Sequence, residues 1–170
     1  AYSVAAADLD GDGDVDVLSA AQYDGNVVWY ENTGGSPPAW TARQMSTGDP
    51  RHSFAIADLD GDGDNDVLTA TIGSGYIVWF ENDGAHPPNW TESPIHLVRL
   101  ATPQGVAAAD LDGDGDIDAV ATEYSDSNVV WIATGEANDR NSTGWGAGVY
   151  RSTDGGGSST FAGLKDSQSI

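Results

Sequence analysis

Three stretches of this chain match almost letter for letter, and each packs five aspartates into ten residues. Ala7-Asp8-Leu9-Asp10-Gly11-Asp12-Gly13-Asp14-Val15-Asp16 returns at Ala57–Asp66 and again at Ala109–Asp118. Their first aspartates, Asp8, Asp58 and Asp110, are 50 and 52 residues apart, and the windows hold 15 of the 27 acidic residues. Self-similarity at such a period signals a repeat architecture, in which each unit buries its apolar face against its neighbours. That constraint overrides any purely local reading of secondary structure.

The rest of the unit repeats as well. Val27-Val28-Trp29-Tyr30-Glu31-Asn32 returns as Ile77-Val78-Trp79-Phe80-Glu81-Asn82 and more loosely as Val129-Val130-Trp131-Ile132. Pro37-Pro38-Ala39-Trp40-Thr41 returns as Pro87-Pro88-Asn89-Trp90-Thr91, with a degraded counterpart at Ser142-Thr143-Gly144-Trp145. The apolar runs are too short for helices and rich in strand formers. They read as strands at Ser3–Ala7, Val17–Ala21, Val27–Glu31 and Trp40–Met45, with equivalents in the later units. Four short strands per unit, joined by Asp/Gly and Gly/Pro turns, describe the blade of a β-propeller. The expected fold class is all-β, with blades of four antiparallel strands. The units fall at 1–52, 53–104 and 105–159, and 160–170 reads as the start of a degenerate fourth repeat or as a closing strand.

The Asp/Gly loop has the pattern of a cation cage. Counting Asp8 as position 1, the odd positions are Asp8, Asp10, Asp12, Asp14 and Asp16. A chain curling around an ion presents alternate groups inward, and Ca²⁺ takes about six to eight hard oxygens at ~2.3–2.6 Å. The reading gives ligands from the side chains at positions 1, 3, 5 and 9 and from the Asp14 carbonyl, with the Asp14 carboxylate outside. Like charges 4 Å apart repel by ~1 kcal/mol in water and ~4 kcal/mol at an effective dielectric near 20, so crowded carboxylates splay without a cation. Mg²⁺, which demands a small octahedral shell, fits less well. An EF-hand also opens with D-x-D-x-D-G but requires a bidentate Glu at position 12 and flanking helices. Position 12 here is Ser19, Thr69 or Ala121, inside a strand-forming run, so that reading fails.

Composition narrows the partners. With 6 basic residues against 27 acidic ones the formal net charge is −21, which argues against nucleic acid and against an anionic membrane surface. No apolar run approaches the ~18–20 residues of a bilayer span. The chain has no cysteine, so thiolate sites are excluded and any metal is expected to be held by oxygen ligands. The opening Ala1-Tyr2-Ser3-Val4 reads as the interior of a folded unit, and a segment ahead of it is expected to have been removed. His52, His86 and His96 occupy unrelated positions in the repeat, and no nucleophile elbow, phosphate loop or zinc-protease motif is present. Trp29, Trp79 and Trp131 are expected to pack between blades. Trp40, Trp90 and Trp145 follow Gly/Pro loops and are the better candidates for exposure. Ser152-Thr153-Asp154-Gly155 through Ser159 reads as a plain turn.

The D-x-D-G-D-G-D-x-D loop, preceded by an Ala-rich strand and followed by Asp-Val-Leu, resembles the FG-GAP/VCBS-type repeat of integrin-α-like propellers, over roughly residues 1–134. The resemblance implies Ca²⁺ in a hairpin loop of each blade, three sites in all. By the same match the second cage is Asp58, Asp60, Asp62, Asp64 and Asp66, and the third is Asp110, Asp112, Asp114, Asp116 and Asp118. It implies an extracellular or secreted module, bacterial cell surface or periplasm included, that serves adhesion or binds a protein or glycan ligand without being an enzyme. The alternative is a propeller module of a polysaccharide-degrading enzyme such as a lyase. Three blades do not comfortably close a ring that usually needs ~4–8, so a homodimer completing the propeller, or membership of a larger one, is expected.

Overall fold

A computed structural model describes residues 3–21, 25–95, 103–111, 115–123, 126–134 and 148–163. Thirteen strands and no helices are present among them. Sheet 1 contains β1 (Ser3–Ala7), β2 (Asp16–Ala20), β3 (Val27–Asn32) and β4 (Trp40–Ser46). Sheet 2 contains β5 (Arg51–Ala57), β6 (Asp66–Thr71), β7 (Ile77–Asn82) and β8 (Trp90–Ile95). Sheet 3 contains β9 (Pro103–Ala109), β10 (Asp118–Glu123), β11 (Val130–Thr134), β12 (Gly148–Ser152) and β13 (Thr160–Gly163). Within each sheet every strand pairs antiparallel with the next one in the chain. The first strands stand side by side, β1 against β5 and β5 against β9, so sheet 2 is sandwiched between the other two in the manner of propeller blades.

Sandwiching is visible in the burial of equivalent strands. In β2 the side chains alternate, with Asp16, Leu18 and Ala20 buried and Val17 and Ser19 only half-buried. In β6 all of Asp66–Thr71 is buried. The strands carry the same pattern; the difference is that both faces of sheet 2 are covered. Leu9, Leu18, Val27 and Trp29 of sheet 1 meet Val67, Val78 and Phe80 of sheet 2 in one core. Leu68, Ala70, Ile77 and Ile95 meet Ala121 of sheet 3 in a second. Arg51, at the start of β5, reinforces the first junction: its guanidinium lies 4.9 Å from the Phe80 ring centre and donates to Ser46 Oγ (3.0 Å) and Glu92 Oε1 (2.6 Å).

Sheet 3 departs from the other two. Leu18 pairs with Trp29 and Leu68 with Trp79, yet Trp131 pairs with Ala121 rather than with Val120, one residue out of register. A one-residue slip moves a strand's side chains to the opposite face. Trp131 accordingly packs against the core shared with sheet 2, where it donates from Nε1 to Glu123 (3.2 Å) and lies beneath the Arg151 guanidinium (5.4 Å). The segment Thr160–Gly163 pairs with β12 at the outer edge of this sheet, as a fifth strand, and does not open a further sheet. Trp29 is buried edge-on against Trp90 (6.2 Å, 76°), while Trp40 is 49% exposed. Trp145 and His96 lie outside the described residues.

Candidate metal centre

Each aspartate loop is the hairpin between the first and second strands of its sheet. Two glycines let it turn: Gly11 and Gly13 have φ of 71° and 93°, and Gly61 and Gly63 have 72° and 101°, the left-handed region that side-chain-bearing residues avoid. The turn then folds onto its own first carboxylate. Asp8 accepts from the amides of Gly11 (2.8 Å) and Gly13 (2.9 Å), and Asp58 from those of Asp62 (3.0 Å) and Gly63 (2.9 Å).

The last aspartate closes the loop from the strand side. Asp16 is fully buried, accepting from the Leu9 amide at Oδ2 (3.1 Å) and from the Asn32 amide at Oδ1 (2.8 Å). Asp66 does the same with Leu59 (3.0 Å) and Asn82 (2.8 Å). The third loop keeps this frame where it is described, with Leu111 donating to Asp118 (2.8 Å) and Gly115 to Asp110 (3.2 Å). Asp112 and Asp114 lie outside the described residues, so that loop is known only at its two ends.

Carboxylate oxygens of Asp8, Asp10 and Asp16 lie within 4.8 Å of one another, as do those of Asp58, Asp60 and Asp66. Three oxygens within 4.8 Å of one another lie no more than about 2.8 Å from a common point, a span that suits the ~2.3–2.6 Å Ca²⁺–oxygen bond better than the ~2.1 Å of Mg²⁺. The donors are hard oxygens, and each carboxylate oxygen has a second lone pair beyond the one taken by an amide. The residues therefore fit a calcium ion. Asp12 and Asp62 lie outside these groups; each accepts from the amide two residues on, at Asp14 (2.8 Å) and Asp64 (3.0 Å), as Asp10 and Asp60 do from Asp12 (3.3 Å) and Asp62 (3.2 Å). The Asp14 and Asp64 carboxylates are turned toward Gly34, between β3 and β4, and Gly84, between β7 and β8, where a Cβ would meet them.

Sequence reasoning missed the asparagines that bind one loop to the next sheet. Asn82 Nδ2 donates to the Leu9 carbonyl (2.8 Å), and Asn65 Nδ2 to the Asp8 carbonyl (2.9 Å). Because the Asn82 amide also bonds Asp66, one residue touches both loops. The repeated Glu-Asn ending β3 and β7 was the available signal, and it indicates only the turn bond from Gly34 or Gly84 to Oδ1.

Burial raises the Asp10 carboxyl above its ordinary range, and burial together with the Asp62 charge raises Asp60. Asp66 is pushed up to about 7, chiefly by burial, against the opposing hydrogen bonds from Asn82 and Leu59. Without metal, the folded state then holds a proton that the unfolded state releases near pH 4. This contribution to stability is full below pH 4 and is lost as pH rises through about 7. Chemical denaturation in chelator from pH 4 to pH 8 is expected to show this loss, and Asp66→Asn to flatten it. A slope unchanged in the variant assigns the titration elsewhere.

No curated protein compared with the chain matches it. The model of the FG-GAP-like repeat matches twice, over residues 8–69 and 58–121, each match running from one aspartate loop into the next sheet. Together the matches span most of the chain, and the protein belongs to the FG-GAP-like repeat family.

Proposed function

We propose that this protein is a calcium-stabilised propeller module that works outside the cell, serving adhesion or binding a protein or glycan ligand, and that it is not an enzyme. The observation that carries the reading is the convergence of Asp8, Asp10 and Asp16, and of Asp58, Asp60 and Asp66, on spaces of calcium size. Asp12 and Asp62 need only rotate off the backbone to add a fourth carboxylate, and the Asp14 and Asp64 carbonyls supply a neutral donor. The third loop, with Asp110, Asp112, Asp114, Asp116 and Asp118, completes a set of three sites.

Extracellular calcium modules bind at ~10⁻⁴–10⁻³ M, so such loops fill permanently outside cells and stay largely empty in a cytosol. Among the described residues no helix is long and apolar enough to cross a membrane. The family's repeats are best known from secreted propellers, which favours the same compartment. A non-catalytic role is supported by the way the three loops absorb the acidic side chains, 15 of the chain's 27. Equilibrium dialysis with metal analysis is expected to give three calcium ions per chain. Replacing Asp8 and Asp58 together by Ala should reduce this to one, and a wild-type chain that retains no calcium overturns the reading.

A further inference from the structure

Sheets 1 and 3 each leave one face open, and the structure itself contains the object that covers such a face. Tyr30 of β3 is 37% exposed, whereas Phe80 at the same repeat position in β7 is fully buried against sheet 1. Val4 is 68% exposed, while its equivalent Phe54 packs into the first core. Val15 is 55% exposed, while its equivalent Asn65 is bonded across the junction to Asp8. The opposite end of the array shows the reciprocal deficit. Leu111 is 48% exposed, while its equivalent Leu9 is 1% exposed beneath sheet 2. Ala107 and Ala109 of β9 are exposed where Ala5 and Ala7 of β1 pack against the core. One end thus displays the surface that sheet 2 presents to sheet 1, and the other displays, along β9 and at Leu111 of its loop, the surface that sheet 1 presents to sheet 2.

We propose that the open face of sheet 1, built on Val4, Val15 and Tyr30, docks on the open face of sheet 3 around Leu111 in a second copy of this chain, head to tail. Two copies supply six sheets, inside the range of about four to eight with which propellers close, and a heterologous contact whose rotation closes gives a ring rather than a filament. The two junctions of the ring are identical to each other and repeat the internal packing over the first strands and the aspartate loops, with the slipped β11, whose Trp131 faces sheet 2, as the point of difference. The proposal stands apart from the metal reading, since none of these side chains lies in the ligand set.

Sedimentation of the full chain at micromolar concentration, in physiological salt with calcium, should give a particle of twice the chain mass. Val4→Glu on one face and Leu111→Lys on the other should each yield monomers with unchanged circular dichroism, because both positions are exposed within a single chain. Mixing the two variants should restore the dimer: one junction then joins two unaltered faces and the other joins Glu to Lys. A monomeric wild type overturns the proposal, as does a dimer that survives either substitution. Failure of the mixture to pair overturns the head-to-tail arrangement. Bound calcium measured on the same samples separates loss of pairing from loss of metal.

Discussion

Removing calcium should lower the melting temperature by about 10–20 °C. The figure follows from linkage: a ligand held only by the folded state stabilises it by RT ln(1 + [L]/Kd). At ~2 mM free calcium and a Kd of ~10⁻⁴ M each loop contributes about 1.8 kcal/mol, and three loops about 5 kcal/mol. For a chain of this size each kcal/mol moves the midpoint by roughly 2–4 °C. The unfilled loops add a destabilising term in the same direction. Asp8, Asp10 and Asp16 hold their charges within 4.8 Å of one another, and burial has already raised the Asp10 carboxyl. Scanning calorimetry in calcium and in excess chelator provides the measurement. Asp58→Ala should recover about one third of the difference, and identical curves in calcium and chelator would falsify the structural role of the metal.

Much of this architecture is legible in the repeat. Ser3–Ala7 is β1 to the residue, and the expected strands at 17–21, 27–31 and 40–45 differ from the observed ones by a residue at one or both ends. Alternation and turn chemistry set those limits locally, so local reasoning finds them. Asp8, Asp10 and Asp16 were legible as partners because loop spacing alone brings odd positions together. Asp12 is not separable from them by spacing, since it occupies an odd position like the others and even shares with Asp10 the bond to the amide two residues on. The one-residue slip of β11 also escapes the sequence, since Val129–Ile132 aligns with Val27–Tyr30 without a gap. Nor does the sequence show that Asn82 reaches Leu9, a bond across 73 positions that exists only once two sheets are stacked. The illegible part is therefore concentrated at the junctions, where one unit's residues acquire roles from another's.

The sharpest test of those junctions compares one substitution at two equivalent positions. Phe80→Ala should cost about 3–5 kcal/mol, the range for deleting a buried aromatic ring. Phe80 is fully buried in the core shared by sheets 1 and 2, and its loss also removes the surface under the Arg51 guanidinium, a contact worth ~0.5–2 kcal/mol. Tyr30→Ala, at the same place in the repeat and paired to Val17 as Phe80 is to Val67, should cost below ~1 kcal/mol in dilute, unpaired protein. Urea titrations of both variants read the two costs on one scale. Equal costs in dilute protein would mean that sheet 1 is covered in the single chain, contrary to its exposure here. If the head-to-tail ring forms, the gap should narrow as concentration rises, because assembly puts Tyr30 where Phe80 already is. The cost at Phe80, set by contacts within one chain, should rise no further with concentration than that of a residue remote from both open faces.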